Sequence, residues 1–418
     1  MNMTALSKTT AAAIVAALTF APPVLARDEI SFLVVDYDAP GMGDWWQLAV
    51  EHYEETSGVA VDPRNTPAQH YYERLLLEAA SGTGADVLTV NPNNLGELLA
   101  AEQLMPLDDF IEASGTREML VEGAWESMTV DGVTYAAPIT GRTLELIYNA
   151  CHFEEAGIEA PPSTPQEFLE VAERLTVRGD SGRVVRYGAN MVNANEDPTY
   201  EMLLMWSIAH GGSFSDGEGN FTVDSQPVID GLKFMKAVYD SGAVPQGMSE
   251  SDLRSLFATG GASMTIDGQW QFPFIEANNP DNIDCYQSAR HPWDGPGTGG
   301  VNMALAINAA ADNPEVAWGL IETALSPEVQ AQFSDHSPYI PYGIDALTDE
   351  QIAARPYLEP WIESIGTAHP IFIPGHEDRF NEIWPIIVDA ILLTLREDIP
   401  AEETLAEAQQ RLVECCAN

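Results

Sequence analysis

The fold is decided by residues 257–270, which read Phe-Ala-Thr-Gly-Gly-Ala-Ser-Met-Thr-Ile-Asp-Gly-Gln-Trp. The short apolar run at 262–266 predicts a buried strand. That strand ends at Asp267-Gly268, a dipeptide that favours a tight turn because glycine tolerates positive φ. Trp270 therefore lies just beyond the carboxyl end of a strand, the edge at which open α/β sheets bind ligands. It is either a ligand platform or a core residue, and the frequent burial of tryptophan alone favours the core.

Strand and helix patterns alternate on both sides of this stretch. A Pro/Gly-rich break at 292–300 is followed by Gly-Val-Asn-Met-Ala-Leu-Ala-Ile-Asn at 300–308, which predicts another strand. Between residues 30 and 100, strand patterns alternate with helical ones, which indicates a parallel α/β sheet. A second α/β region begins before Thr164-Pro165, since threonine caps a helix and proline suits its first turn.

The length and charge of the chain restrict its class. A chain of 418 residues predicts two domains, because a single core rarely grows that large. The chain is strongly acidic, with 18 basic and 64 acidic residues and a formal net charge of -46. This charge argues against nucleic acids and anionic membrane surfaces as partners, since both require a basic patch. The acidity is a solubility device or marks a saline habitat, and both interpretations stay open.

The amino terminus has the pattern of an export signal. Lys8 precedes an apolar run at 11–20, and Val24-Leu25-Ala26 has small or apolar residues where signal peptidase cleaves. We expect residues 1–26 to be removed after Ala26 and the mature protein to be periplasmic. The next residue is not cysteine, so we expect no lipid anchor, and no later segment has the length and apolarity of a membrane span.

Four cysteines follow: Cys151, Cys285, Cys415 and Cys416. An oxidising compartment allows disulfides, and four cysteines allow three pairings. We expect Cys151 or Cys285 to pair with one of the two carboxyl-terminal cysteines, with the choice left open. The sequence has no Cys-x-x-Cys, which argues against a thioredoxin-like role or a zinc ribbon.

Four segments in order carry a resemblance to a known family. They are Ser-Gly-Thr-Gly-Ala-Asp-Val-Leu at 81–88, Leu-Glu-Leu-Ile-Tyr-Asn at 144–149, the stretch 262–270, and 306–328. Together they resemble the extracellular solute-binding proteins of ABC importers, family 1, in the branch with the maltose- and sugar-binding proteins. The resemblance covers nearly the whole mature chain, and the export signal agrees with it.

The resemblance implies a two-lobed α/β fold of type II, in which each lobe is a mixed, largely parallel sheet flanked by helices. The chain is expected to cross between the lobes near 140–143, 285–290 and 334–341. The lobes then comprise 28–139 with 291–333, and 144–284 with 342–418. The implied function is to capture a sugar or polyol between the lobes and deliver it to the membrane subunits of an ABC transporter. A monomer without a cofactor is also implied.

The resemblance further implies which residues line the ligand site. Trp270 is expected to stack on the C–H face of a sugar ring, and Asn91 and Asn93 to hydrogen-bond its hydroxyls. Arg142, at the first crossing, is expected to bind two hydroxyls or a carboxylate. The remaining implied residues are Asp36, Tyr37, Gly43, Thr199, Tyr200, Glu201, Gly299, Gly300, Asn302, Tyr339, Arg379 and Trp384.

Other interpretations of these residues stay open. The two asparagines also suit a helix cap, Arg142 suits an ion pair with one of the many acids, and Trp384 suits the core. Where the maltose-binding pattern has aromatic and charged residues, this chain has valine and asparagines between 90 and 94, which argues against maltodextrin as the ligand. A sugar acid or other small anion, clamped by Arg142 and Arg379, is the alternative ligand.

Enzyme motifs are absent from the sequence. It has no Gly-x-Ser-x-Gly, no Walker loop and no His-Glu-x-x-His, and its eight histidines lie at no metal-ligand spacing. Paired carboxylates do not indicate a glycosidase in a chain this acidic. We therefore expect a binding protein with no metal and no catalytic activity. A secreted carbohydrate-active enzyme is the alternative from another class.

Overall fold

The computed structural model of the chain describes residues 29–38, 42–66, 68–121, 123–217, 219–337, 339–373, 376 and 379–416. The expected export signal lies outside these residues. Fourteen strands form within them: β1 (Glu29–Val35), β2 (Ala60–Thr66), β3 (Val87–Val90), β4 (Thr129–Val130), β5 (Val133–Thr134), β6 (Ala137–Thr143), β7 (Glu145–Asn149), β8 (Val177–Arg178), β9 (Val184–Arg186), β10 (Met264–Asp267), β11 (Tyr286–Ala289), β12 (Thr298–Ile307), β13 (Ile340–Pro341) and β14 (His369–Pro370).

Sixteen α-helices accompany the strands in the described part of the chain. They are α1 (Met42–Ser57), α2 (Ala68–Ser81), α3 (Pro92–Ala100), α4 (Asp108–Ser114), α5 (Ala150–Glu155), α6 (Pro165–Leu175), α7 (Asp197–Ala209), α8 (Gln226–Asp240), α9 (Glu250–Ala258), α10 (Gln271–Asn278), α11 (Pro314–Leu325), α12 (Pro327–His336), α13 (Asp349–Ala354), α14 (Glu359–Ser364), α15 (Phe380–Glu397) and α16 (Ala401–Cys416). The predicted start of α6 is confirmed, since the Thr164 side chain accepts a hydrogen bond from the backbone N–H of Glu167.

The larger sheet is mixed and has the strand order β13-β6-β12-β3-β1-β2, with β14 paired to β12. Strand β1 pairs parallel with β2 and β3, whereas β12 runs antiparallel to β3 and β6. Within β1, Ile30, Phe32, Leu33 and Val34 are buried. Such a nearly continuous apolar run suits a parallel strand that is covered on both faces. The α/β class predicted from the sequence is confirmed.

The smaller sheet has three antiparallel strands in the order β10-β7-β11. The strand expected at 262–266 is present as β10, and it ends at Asp267 as predicted. The buried apolar side chains form two cores, and the smaller sheet contributes to both, with Ile147 in the first and Leu146 in the second. The first core contains Trp45, Trp46 and Phe32, and the second contains Trp206 and Phe168.

The chain passes from the larger sheet to the smaller one between β6 and β7, at Leu144. It returns across residues 290–297, which is later than the crossing expected at 285–290. The reason is that residues 286–289 form β11 and pair with β7 along their whole length.

The third crossing, expected at 334–341, stays a prediction. Trp361 and Ile365 are buried in the first core, whereas Phe372 is buried in the second. The first core also contains Phe272 of α10 and Tyr286 of β11, so it includes parts of both sheets' surroundings. The division of the chain into two mobile lobes stays a prediction.

The expected disulfide pairing is wrong. The structure pairs Cys151 with Cys285 and Cys415 with Cys416. Cys151 lies two residues after β7, and Cys285 directly precedes β11. Because these two strands are hydrogen-bonded neighbours, with Tyr286 opposite Asn149, the two cysteines meet at the same end of the smaller sheet.

Candidate functional site

A cavity of about 320 Å³ lies between the two cores, beside Trp270. Its walls come from the end of β6, the first turn of α7, helix α9, the start of α15 and the residues flanking β13 and β14. The lining residues are Arg142, Asp197, Pro198, Tyr200, Glu201, Glu250, Arg254, Trp270, Tyr339, Ile371 and Phe380.

Further cavities adjoin this one, and Arg142 lines two of them. A small cavity of about 40 Å³ also has Arg142 and Trp270 in its wall, together with Asn190. Another, of about 150 Å³, is lined by Arg142, Asn91 and Gly300. It borders a cavity of about 760 Å³ with which it shares Gly300. Neighbouring cavities in the cleft between the cores thus share lining residues.

Trp270 follows β10 by three residues and packs partly buried against the second core. Its ring turns back over the Asp267-Gly268 turn, so closely that a Cβ at position 268 would overlap the ring. This close approach requires glycine there. The ring centroid lies 5.7 Å from that of Tyr339, whose ring packs against the first core. Two aromatic rings, one from each core, thus line the same cavity.

Arg254 connects Trp270 to the end of β10. Its Nε and Nη2 donate to the two carboxylate oxygens of Asp267, at 2.9 and 3.0 Å, and Nη2 also donates to Glu250 at 3.0 Å. The guanidinium carbon lies 5.5 Å from the centroid of the Trp270 ring, within cation–π range. Burial acts to lower the pKa of Arg254, but Asp267 and Glu250 outweigh it and raise that pKa. Arg254 is therefore a fixed cation beneath the tryptophan.

Arg142 pairs with Glu201 across the cleft. Its Nη1 and Nη2 donate to the two carboxylate oxygens of Glu201, at 3.4 and 3.2 Å. Burial acts to lower the pKa of Arg142, and the negative charge of Glu201 raises it, with a net increase. Arg142 forms the ion pair that was the alternative interpretation, and it also lines the cavities, so its contact with a ligand stays a prediction.

Two carboxyl groups in the cavity hold protons more tightly than usual. Burial raises the pKa of Glu250 to about 7, with Asp267, Glu201 and Asp197 adding to the effect and Arg254 opposing it. Burial also raises the pKa of Asp197, and Glu201 adds to the shift. Both carboxyl groups are thus more readily protonated in the cavity than in water, chiefly because they are buried.

The residues predicted from the first lobe form two groups, those that line a cavity and those that do not. Asn91 and Gly300 line the cavity beside Arg142, and Gly300 has a φ of 132°, a conformation that favours glycine. Asp36 and Tyr37 lie in the turn after β1, and a Cβ on Gly43 would overlap the carbonyl oxygen of Tyr37. None of these three residues lines the cavities described above.

Two further predicted residues belong to elements at the cleft, but their side chains lie outside the described residues. Asn93 is in the first turn of α3. Asn302 is in β12, at an irregularity in its pairing with β6. Their roles stay predictions.

The predicted residues of the second lobe differ in their contacts. Tyr200 lines the cavity, and its hydroxyl donates to the backbone oxygen of Ile371 at 2.9 Å. Burial raises the pKa of Tyr200. Thr199 is fully buried and its hydroxyl donates to the backbone oxygen of Ala194. Arg379 donates to Glu382 and to the backbone of Cys415, and Trp384 packs against the second core. Thr199, Arg379 and Trp384 line none of the cavities described.

Sequence reasoning missed part of the site. Glu250, Arg254, Asp197, Asn190 and Ile371 line the cavities but were not expected there. One signal was available, because Glu250 and Arg254 lie four residues apart after the capping residue Ser249 and so share a helix face. Nothing local indicates that this face is turned toward Trp270.

Neither a metal cluster nor a membrane-spanning helix occurs among the described residues. No group of three or more His, Cys, Asp or Glu side chains is arranged to hold a metal ion. No described helix has both the length and the apolar character needed to cross a membrane.

The fold is that of solved two-lobed binding proteins. The sugar-binding protein MalE from Xanthomonas citri superposes with a TM-score of 0.80 at 19% identity, covering 92% of this chain and 96% of that one. An ABC transporter solute-binding protein of Thermotoga lettingae, solved with α-D-tagatose, gives 0.77 at 22% identity, covering 93% and 99%. Likenesses at these identities show the fold alone, and they confirm the predicted two-lobed architecture.

The family follows from the sequence comparison. Residues 39–331 match the family model of the bacterial extracellular solute-binding proteins, and the chain belongs to that family. A similar protein is the maltooligosaccharide ABC transporter solute-binding lipoprotein of Streptococcus pneumoniae strain R6. It is 23% identical over 340 residues, which are 78% of this chain and 75% of the relative. The predicted class of protein is confirmed: the family consists of binding proteins.

Proposed function

We propose that this protein captures a sugar or polyol in the cleft beside Trp270 and delivers it to an ABC transporter. The observation that carries the proposal is the pair of aromatic rings, Trp270 and Tyr339, in a cavity whose other walls are charged side chains. A sugar ring buries its C–H face on an aromatic ring while its hydroxyls reach polar groups at the edge. The relatives with a sugar in their names or structures support the same ligand class.

The alternative ligand, a sugar acid or other small anion, fits the site less well. Both guanidinium groups in the cavity already bind carboxylates, Arg142 to Glu201 and Arg254 to Asp267. An anion would have to displace one of these acids, and the displaced acid would then be left unpaired. Arg379, the second arm of the expected clamp, binds Glu382 and lines none of the cavities described.

Capture requires no covalent chemistry. Trp270 packs on the second core and Tyr339 on the first, and both line the cavity, so a ligand in the cavity contacts side chains from both cores. Such a ligand favours the closed arrangement of two lobes because it binds that arrangement more tightly. We place the protein in the periplasm as a monomer, released from its export signal after Ala26, with the transporter's membrane subunits as its partner.

A thermal-shift screen tests the proposal. A panel of monosaccharides, disaccharides, polyols and sugar acids is added to the mature protein, because a ligand that binds only the folded state raises its melting temperature. We expect a sugar or polyol to raise it and sugar acids to have a smaller effect. If only sugar acids raise it, the anion alternative is correct. Turnover of a sugar to a new product during incubation would instead identify a carbohydrate-active enzyme.

A further inference from the structure

The charges that line the cleft do not balance. The cavity of about 320 Å³ and the small cavity of about 40 Å³ share most of their charged walls. The charged residues that line them are four acids, Asp197, Glu201, Glu250 and Asp267, and two arginines, Arg142 and Arg254. Four carboxyl groups thus face two guanidinium groups, and each guanidinium already has a bidentate carboxylate partner.

Asp197 and Glu250 are the two carboxyl groups left without a guanidinium of their own. Glu250 shares Arg254 with Asp267, through one hydrogen bond of 3.0 Å. Both carboxyl groups have raised pKa values, because burial disfavours their charge and the other acids repel it. A cation beside these carboxylates would offset both the cost of burying their charge and the repulsion from the other acids.

The wall of the small cavity also contains a side chain that needs a hydrogen-bond donor. Asn190 is 7% exposed and lines the small cavity together with Glu250 and Trp270. Its Nδ2 donates to the backbone oxygen of Leu253 at 2.7 Å, whereas its Oδ1 accepts no hydrogen bond. A buried acceptor without a donor costs free energy that a ligand N–H or O–H can recover.

We infer, on the basis of the proposed sugar-binding function, that the ligand is an amino sugar whose protonated amine binds at Glu250, which lines both cavities, with Asn190 in the wall of the small cavity and Asp197 in the wall of the larger one. An ammonium group offers three donors and one positive charge, and it has no acceptor. It therefore matches a site with surplus carboxylates and an unpaired amide oxygen. The sugar ring of the same ligand can then stack on Trp270. A neutral sugar offers the hydroxyls but leaves the charge imbalance in place.

Matched pairs of ligands test the inference at pH 7, where a hexosamine is largely protonated and about half of Glu250 is ionised. Glucosamine is compared with glucose, and galactosamine with galactose, by calorimetry. We expect at least one amino sugar to bind ten times more tightly than its neutral partner. Ethanolamine, a small amine without a sugar ring, is expected to bind more weakly than that amino sugar.

Two variants and a control locate the amine. Glu250→Gln and Asp197→Asn are each expected to reduce the ratio of amino-sugar to neutral-sugar affinity at least threefold. Glu276→Gln makes the same charge change on the exposed face of α10, outside the cavities described, and is expected to leave the ratio unchanged.

Proton release provides an independent measurement. An ammonium bound beside Glu250 favours its ionised form, so binding near pH 7 is expected to release protons and to give a heat that depends on the buffer. The charged groups that face Glu250 are Arg254, Asp267, Glu201, Asp197 and Arg142, together with Glu196, whose Oε1 accepts a hydrogen bond from the backbone N–H of Glu250 at 2.7 Å.

The outcomes separate the two proposals. Neutral sugars that bind as tightly as their amino partners overturn the inference and leave the sugar-binding function standing. Ethanolamine binding more tightly than every sugar overturns both the inference and the sugar-binding function, as does a panel in which no sugar binds.

Discussion

The guanidinium of Arg254 lies 5.5 Å from the centroid of the Trp270 ring and is held there by two hydrogen bonds to Asp267. Asp267 is the last residue of β10, and Trp270 follows it after a tight turn. The strand end, the cation and the ring therefore form one unit that presents the aromatic surface to the cleft. The unit makes Arg254 a positioning residue for Trp270.

Replacing Arg254 with lysine should weaken sugar binding. Lysine has one ammonium group, which cannot make the bidentate contact with Asp267 or lie flat against the ring. We expect the affinity for the best sugar of the thermal-shift screen to fall about threefold to tenfold, roughly 0.7–1.4 kcal/mol, by calorimetry. Arg411→Lys changes an exposed pair with Asp389 outside the cavities and serves as the control. Equal affinities for the two variants would show that Arg254 does not position the ring.

The raised pKa of Glu250 gives a pH dependence of stability with a definite sign. The folded pKa, about 7, exceeds the ordinary value of 4.5, so the native state binds more protons than the unfolded state between these values. Stability from this group is present below about pH 4.5 and is lost as the pH rises to about 7. Glu250→Gln should therefore raise the melting temperature at pH 8 and change it little at pH 4.5.

A control for this experiment is Glu402→Gln. The hydrogen bond from Lys233 lowers the pKa of Glu402, so its contribution has the opposite sign and is present at high pH. A Glu250→Gln effect that is the same at pH 4.5 and pH 8 would refute the raised pKa of Glu250.

The disulfide between Cys151 and Cys285 should account for much of the stability of the second core. It joins residues 134 positions apart, and closing a loop of that length restricts the unfolded chain. Cys151→Ser with Cys285→Ser should lower the free energy of unfolding by roughly 3–4 kcal/mol in urea. Cys415→Ser with Cys416→Ser opens a link between adjacent residues and should cost much less. A similar loss in both double variants would contradict the loop argument.

Salt should stabilise the protein through its net charge of -46. Self-repulsion of the acidic surface falls when the screening length shortens from about 10 Å at 0.1 M salt to about 3 Å at 1 M. We expect the melting temperature to rise over this range, and to rise equally in NaCl and KCl because screening depends on ionic strength. A melting temperature that is unchanged or falls would show that repulsion is not a significant destabilising term.

The sequence predicted the features that depend on local patterns. The strand ending at Asp267, the turn after it and the position of Trp270 follow from an apolar run and a glycine. The cap at Thr164 follows from residue types three positions apart. The family resemblance supplied Arg142, Asn91 and the two-lobed fold.

The features that the sequence missed depend on tertiary packing. The pairing of Cys151 with Cys285 requires that β7 and β11 be neighbours, although more than 130 residues separate them. The acidic wall of the cleft requires helix α9 to turn Glu250 toward α7, and no spacing within α9 encodes that direction.

The central claim is that a sugar binds between the two cores with its ring on Trp270. The most direct test is calorimetry of Trp270→Ala with the best sugar of the screen. Phe274→Ala, an exposed aromatic position one turn further along the chain, is the control. We predict at least a tenfold loss of affinity, about 1.4 kcal/mol, for Trp270→Ala and none for Phe274→Ala, with both variants folded by circular dichroism. An unchanged affinity in folded Trp270→Ala would contradict the account.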